Sequence, residues 1–150
     1  MSAAATIRLD PNPKNKCFGC GGANGGGMKL AFEQDNDGRR IIGKFRLDER
    51  YQGGAGFLHG GIIAVLLDEA LGKVCRFRGV RAVTAELTVE FLRPIRVGEE
   101  IEVEGREDRM EGRNLYLAGE IRDSGGSVLA RGRGRFVVID AEKYAEKLKR

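Results

Sequence analysis

Apolar and polar positions along the chain follow two periodicities, and a break between them. From Ile62 to Leu67 six apolar residues run without interruption. They open a segment, Gly60 to about Cys75, that predicts one helix with apolar residues around most of its circumference. Period-two alternation predicts strands on either side. Met28, Leu30 and Phe32 alternate with Lys29, Ala31 and Glu33, giving a strand at Met28 to Glu33. A second strand spans about Arg39 to Asp48, with the turn "NDG" at Asn36 to Gly38 between them. Beyond the helix, "VTAELTVEFL" sets Val83, Ala85, Leu87, Val89 and Phe91 on one face and Thr84, Glu86, Thr88 and Glu90 on the other. The strand-like runs "EIEVEGRED", "NLYLAGEIRD" and "VLARGRGRFVVID" follow, divided by "EGR" and by the turn "DSGG".

Two strands, a helix and four strands make an α+β chain with a mainly antiparallel sheet. A helix with so little polar surface must be covered on nearly all sides. A curved sheet wrapped around it, with a second subunit over the remainder, does this most economically. Residues 1–27 form a glycine-rich arm, in which Pro11 to Gly27 shows no periodicity. Residues 140–150 form a short helix or tail, with Asp140 as N-cap and Tyr144 and Leu148 on one face. At 150 residues the whole is expected to be a single domain.

Composition narrows the functional classes. Apolar residues at 41% and charged residues at 32% exclude a disordered chain, and no apolar run approaches a membrane span. The opening "MSAAATIRLDP" lacks a basic segment followed by an apolar core, so no secretory signal is expected. Three cysteines cannot all pair within the chain, which points to the reducing cytoplasm. The net charge of +4 suits an anionic small molecule, nucleic acid, or no particular partner. With 7% aromatics and no tryptophan, stacking platforms for single-stranded nucleic acid are scarce.

Candidate chemistry concentrates on the helix. Asp68 and Glu69 follow directly on its apolar run. One reading makes them edge carboxylates, solvated or paired with arginine. The other makes one a desolvated base with a raised pKa. His59, the only histidine, precedes Gly60 and Gly61 at the opposite end. Those glycines would present unpaired N–H groups at the positive end of the helix dipole, or simply make a tight entry turn. Nine residues of helix rotate by about 900° and rise about 13 Å. Gly60 and Asp68 of one chain therefore cannot serve one small reacting group. Two copies of the helix, side by side in a symmetric dimer, could.

Other clusters give less. Cys17 and Cys20 form a CxxC, one pair where zinc generally takes four ligands, and thiols in an ordered loop without metal are expected. The glycines from Gly19 to Gly27 lack the lysine and the strand-to-helix setting of a phosphate loop. In "ARGRGRF", Arg131, Arg133 and Arg135 share one face of a strand. Gly132 and Gly134 share the other and would let the helix approach closely. The arginines form a solvated face or meet phosphates.

"HGGIIAVLLDEALG" resembles the His-Gly-Gly motif, with an acid nine positions after the histidine, of hotdog-fold acyl-CoA thioesterases, and is most similar to the phenylacetyl-CoA thioesterase (PaaI-like) branch. "CFGCGGANGGGMKL" and "TAELTVEFLRPIRVGEEIEVEGRED" extend the resemblance over about residues 17 to 139. It implies a curved antiparallel sheet wrapped around one long central helix, in a homodimer or a dimer of dimers. It also implies hydrolysis of an acyl-CoA thioester without metal or other cofactor. Carried onto this sequence, the Gly60 N–H polarises the carbonyl, and Asp68 of the partner acts as general base or nucleophile. His59 shapes the oxyanion end, and Gly61, Arg131 and Arg133 are candidates for substrate contact. Some relatives have an asparagine six residues before the histidine. Here Gly53 stands there, so its aid is missing or comes from Gln52 or His59. Thr84 matches a threonine that positions water or carboxylate in some relatives, although alternation puts it on the polar side of its strand. Glu69, about 100° from Asp68 around the helix, is the fallback acid. The rivals are a non-catalytic acyl-CoA-binding protein of the same fold, a dehydratase or hydratase, and a nucleic-acid module using the Arg-Gly strand.

Overall fold

The computed structural model describes residues 5–148. Its strands are β1 (Thr6–Leu9), β2 (Phe32–Asp35), β3 (Arg40–Arg46), β4 (Ala82–Phe91), β5 (Glu100–Glu111), β6 (Asn114–Asp123) and β7 (Val128–Val138). The helices are α1 (Gly60–Val74) and α2 (Ala141–Leu148). The strands form one antiparallel sheet in the order β1-β2-β3-β5-β6-β7-β4. The chain leaves β3, crosses the concave face as α1, and enters the sheet again at its far edge as β4. The hotdog arrangement expected from the sequence is thus present. No described helix is long and apolar enough to cross a membrane.

Helix α1 sits where it does because the sheet beneath it is apolar or bare. Ile63, Leu66, Leu67, Ala70, Leu71 and Val74 are buried against inward side chains that include Ile101, Val103, Leu115, Leu117, Ile121 and Phe136. Full burial of each leucine contributes roughly 1.5–3 kcal/mol. Directly below, the strands carry glycine. A Cβ on Gly132 would lie 3.1 Å from the Leu67 side chain, and one on Gly134 would lie 3.2 Å from that of Leu71. The close approach expected for these glycines is therefore observed, and a larger residue would push the helix off the sheet. The least covered stripe of α1 runs through Gly61, Ala64, Val65 and Asp68.

Several boundaries differ from expectation. The segment Met28–Ala31 lies outside the sheet, and only Phe32 onward pairs. Strand β1, in the N-terminal arm ahead of the loop expected from Pro11 and not itself expected, pairs with β2 from Thr6↔Asp35 to Leu9↔Phe32. The most consequential difference lies in β4. Its register with β7 runs Thr84↔Phe136 and then Glu86↔Arg135, so Ala85 is a bulge. One extra residue reverses the parity of everything before it. Leu87 and Val89 face the helix as expected, but Thr84 now joins them, opposite the buried Phe136, and Val83 and Ala85 leave that face. The C-terminal helix forms, and Asp140 Oδ1 accepts from the backbone N–H groups of Glu142 (3.0 Å) and Lys143 (3.2 Å), as an N-cap does. The shared face expected for Tyr144 and Leu148 lies outside the described side chains.

Candidate active site

The bulge at Ala85 brings Thr84 onto Asp68. The threonine hydroxyl donates to Asp68 Oδ1 at 2.7 Å, the length of a strong charge-assisted bond. Asp68 is half-buried on the open stripe of α1. Burial pushes its carboxyl above the ordinary 3.8, the neighbouring Glu69 charge adds to this, and the Thr84 bond opposes it. A carboxylate fixed through one oxygen, with the other unclaimed among the described residues, is equipped to take a proton from water or to attack a carbonyl.

At the other end of α1, His59 is the N-cap residue, and its Nδ1 accepts the Gly61 N–H at 2.8 Å. A ring accepting at Nδ1 carries its proton on Nε2. His59 is thus committed to holding the helix entry. Two unpaired N–H groups were expected there. The structure corrects this, because the histidine cap consumes that of Gly61. The Gly60 N–H has no acceptor among the described residues. It points from a helix start, where partial positive charge accumulates. The Phe91 ring lies beside it, 3.5 Å from where a Cβ on Gly60 would be. The loop before the helix is folded on itself, with Gln52 Oε1 accepting from Gly56 N at 3.2 Å. Gly53, the position of the asparagine of some relatives, backs onto the histidine, since a Cβ there would sit 2.9 Å from His59 Cα. A side chain at 53 would therefore make that backbone shift.

The structure does not bring Gly60 and Asp68 of one chain together. Gly60 neighbours Phe91 at one end of β4, and Asp68 bonds Thr84 towards the other. Gly60 and Asp68 both sit on α1, eight residues and about 12 Å apart along its axis. Arg131 and Arg133 lie on the outer face of the sheet, away from the helix, in a groove they share with Glu90, Glu104, Glu120 and Arg122. Carboxylates interleave this stripe: Arg135 pairs with Glu86 at 2.6 Å, and Arg133 lies 3.8 Å from Glu90. On the same face Glu104, only 3% exposed, is ringed by Arg40, Arg106 and Arg122. Burial raises its pKa, but the arginines prevail and hold it below the ordinary carboxylate value.

Glu69 has a different surrounding from Asp68. Cys17 Sγ donates to Glu69 Oε1 at 3.4 Å, and one ligand atom from each of Cys17, Cys20 and Glu69 falls within 4.8 Å of the others. Burial, with the Glu69 carboxylate beside it, pushes the Cys20 thiol up to about 12. Cys75 is buried elsewhere at the end of α1. This cluster escaped the sequence because Cys17 and Glu69 are 52 positions apart, with no shared motif.

A family model described as "Thioesterase superfamily" matches residues 55–130. Acyl-coenzyme A thioesterase THEM4 of Bos taurus is 32% identical over 127 residues, 84% of this chain and 52% of that protein. The chain spans about half the length of the THEM4 relatives it matches. Among solved structures, protein RHA08564, a thioesterase superfamily protein, is 31% identical with a TM-score of 0.76, covering 81% of this chain and 60% of that one. The E. coli PaaI protein from the phenylacetic acid degradation operon shares the fold, at 22% identity and a TM-score of 0.64, covering 68% of this chain and 74% of that one.

Proposed function

The chain belongs to the thioesterase superfamily, and from that premise we propose that it hydrolyses an acyl-CoA thioester at a site completed by a second copy of itself. One observation carries this: Asp68, half-buried and bonded to Thr84, lies on the open stripe of α1 beside an edge strand. Among the described residues strand β4 has only β7 as a neighbour, and Phe91 and Leu92 at its end are 57% and 44% exposed. An unpaired edge with apolar ends favours pairing with another strand. Antiparallel pairing of β4 with its twin, about a two-fold axis at Thr88 and with Ala85 bulged out of the register, would set Thr84 close to the partner subunit's Phe91. Asp68 follows Thr84, and Gly60 follows Phe91. The carboxylate would then stand near the partner's Gly60 N–H, on the same side of a continuous sheet, twice per dimer.

In that arrangement the thioester oxygen accepts from the Gly60 N–H at the helix N-terminus, which stabilises the oxyanion as it forms. Asp68, its other oxygen held by Thr84, takes a proton from the attacking water. The C–S bond breaks, CoA leaves as the thiolate and is then protonated, and the acyl group departs as the free acid. His59 keeps the helix entry in place, a positioning role. The THEM4 relatives, named as acyl-coenzyme A thioesterases, support this substrate class. The carboxylates between Arg131, Arg133 and Arg135 weigh against a nucleic-acid surface.

The test is thiol release from short, long and aromatic acyl-CoAs by wild type and Asp68→Asn, with sedimentation of both. Loss of a general base lowers turnover by about 10²–10⁴ with the dimer intact. A substituted protein that keeps most of its activity, or an active monomer, refutes the site.

A further inference from the structure

We propose that Cys17, Cys20 and Glu69 form a binding site for one thiophilic divalent cation per chain, zinc fitting best, with water as the fourth ligand. The three ligand atoms lie within 4.8 Å of one another. A tetrahedral zinc with Zn–S near 2.3 Å and Zn–O near 2.1 Å needs S···O of about 3.6 Å and S···S of about 3.8 Å. The Cys17 Sγ to Glu69 Oε1 distance is already 3.4 Å. An ion therefore enters with displacements of about 1 Å or less, a rotamer adjustment rather than a rearrangement.

The surroundings are built for these groups. Backbone bonds from Leu30 N to Gly19 O (2.9 Å), Met28 N to Phe18 O (2.8 Å) and Gly21 N to Cys17 O (2.9 Å) hold the CxxC loop against the segment before β2. Asn15 Oδ1 accepts the Cys17 N–H at 2.7 Å. Gly19 lies flat on the Glu69 carboxylate, where any Cβ would come within 2.5 Å of it. The glutamate comes from the middle of α1, so an ion here would fasten the N-terminal loop to the central helix. All three residues are half-buried, which leaves a path for entry. Binding releases the two thiol protons to solvent, and the two thiolates and one carboxylate leave the occupied site one charge negative. The Lys73 ammonium, whose field reaches Cys20, offsets that charge.

The reduced, chelator-treated full chain is titrated with Co²⁺. The expected result is one ion per chain, with a thiolate-to-cobalt charge-transfer band and visible bands of tetrahedral intensity, both erased by Zn²⁺. Cys17→Ser and Cys20→Ser abolish the band, Cys75→Ser leaves it, and Glu69→Gln weakens binding at least about tenfold. Independently of any substitution, Zn²⁺ protects Cys17 and Cys20 of the wild type together from alkylation. At a hundred times its Kd it raises Tm by about 5–10 °C. Absence of the charge-transfer band, its survival in either serine variant, half an ion per chain, or alkylation indifferent to zinc overturns the site. None of these measurements depends on thioester hydrolysis.

Discussion

Replacing Thr84 with valine removes one hydroxyl, keeps the branched shape, and leaves Asp68 Oδ1 without the donor at 2.7 Å. A hydrogen bond to a charged group contributes about 1.5–3 kcal/mol. The strand position is exposed, so the lower end applies, and about 1.5 kcal/mol corresponds to roughly tenfold in rate. The direction with pH follows from the same bond. It favours the ionised carboxylate, whereas burial and the Glu69 charge oppose ionisation. Without it, the Asp68 pKa in the folded enzyme rises further. The proposed hydrolysis needs the ionised form, so the acid limb of kcat/KM is expected to move to higher pH, with the deficit greatest at low pH. The assay is thiol release from a preferred acyl-CoA across the pH range, using a thiol-reactive chromophore suited to acid. Thr84→Ser, which restores the hydroxyl, returns the limb towards its wild-type position. A uniform loss with an unmoved limb, a limb displaced to lower pH, or a serine variant no better than valine would refute the coupling of Thr84 to Asp68.

Three further outcomes are expected. Phe91→Asp places a charge on the edge that the proposed dimer would cover, and on that proposal raises the dimer dissociation constant by at least about a hundredfold in sedimentation, with activity falling in step. A wild-type association constant in that variant would argue against β4 pairing. Gly119→Ala sets a Cβ 2.7 Å from the Glu104 carbonyl oxygen, so that strand backbone must shift. It costs about 1–3 kcal/mol and lowers Tm by about 2–10 °C, while Gly25→Ala, with nothing within 4 Å, leaves Tm unchanged. Because the folded pKa of Asp68 lies above 3.8, the folded state holds that proton more tightly, and stability falls as pH climbs from 3.8 through the folded value. Asp68→Asn lacks this step, so in urea titrations its stability relative to wild type increases across that window and levels off above it; parallel curves would contradict a raised pKa.

What the sequence determined by itself was whatever a local pattern encodes. The apolar run gave helix α1 its place, and the alternation of "NLYLAGEIRD" gave β6 its bounds at Asn114 and Asp123. Burial of one face repeats every two residues in a strand, and in a helix the apolar side recurs about every 3.6 residues, so these elements are visible in one dimension. Glycines at 132 and 134 similarly told which face the helix presses. Tertiary structure alone decided the rest. Strand β1 escaped notice because "TIRL" is mostly exposed and carries no burial pattern, only the pairing offered by β2. The Ala85 bulge is set by register against β7, and it turned Thr84 from the polar face onto Asp68. Cys17 met Glu69 because a loop pinned at Leu30 folds over the middle of α1. Register and loop closure depend on partners distant along the chain, so no local periodicity carries them.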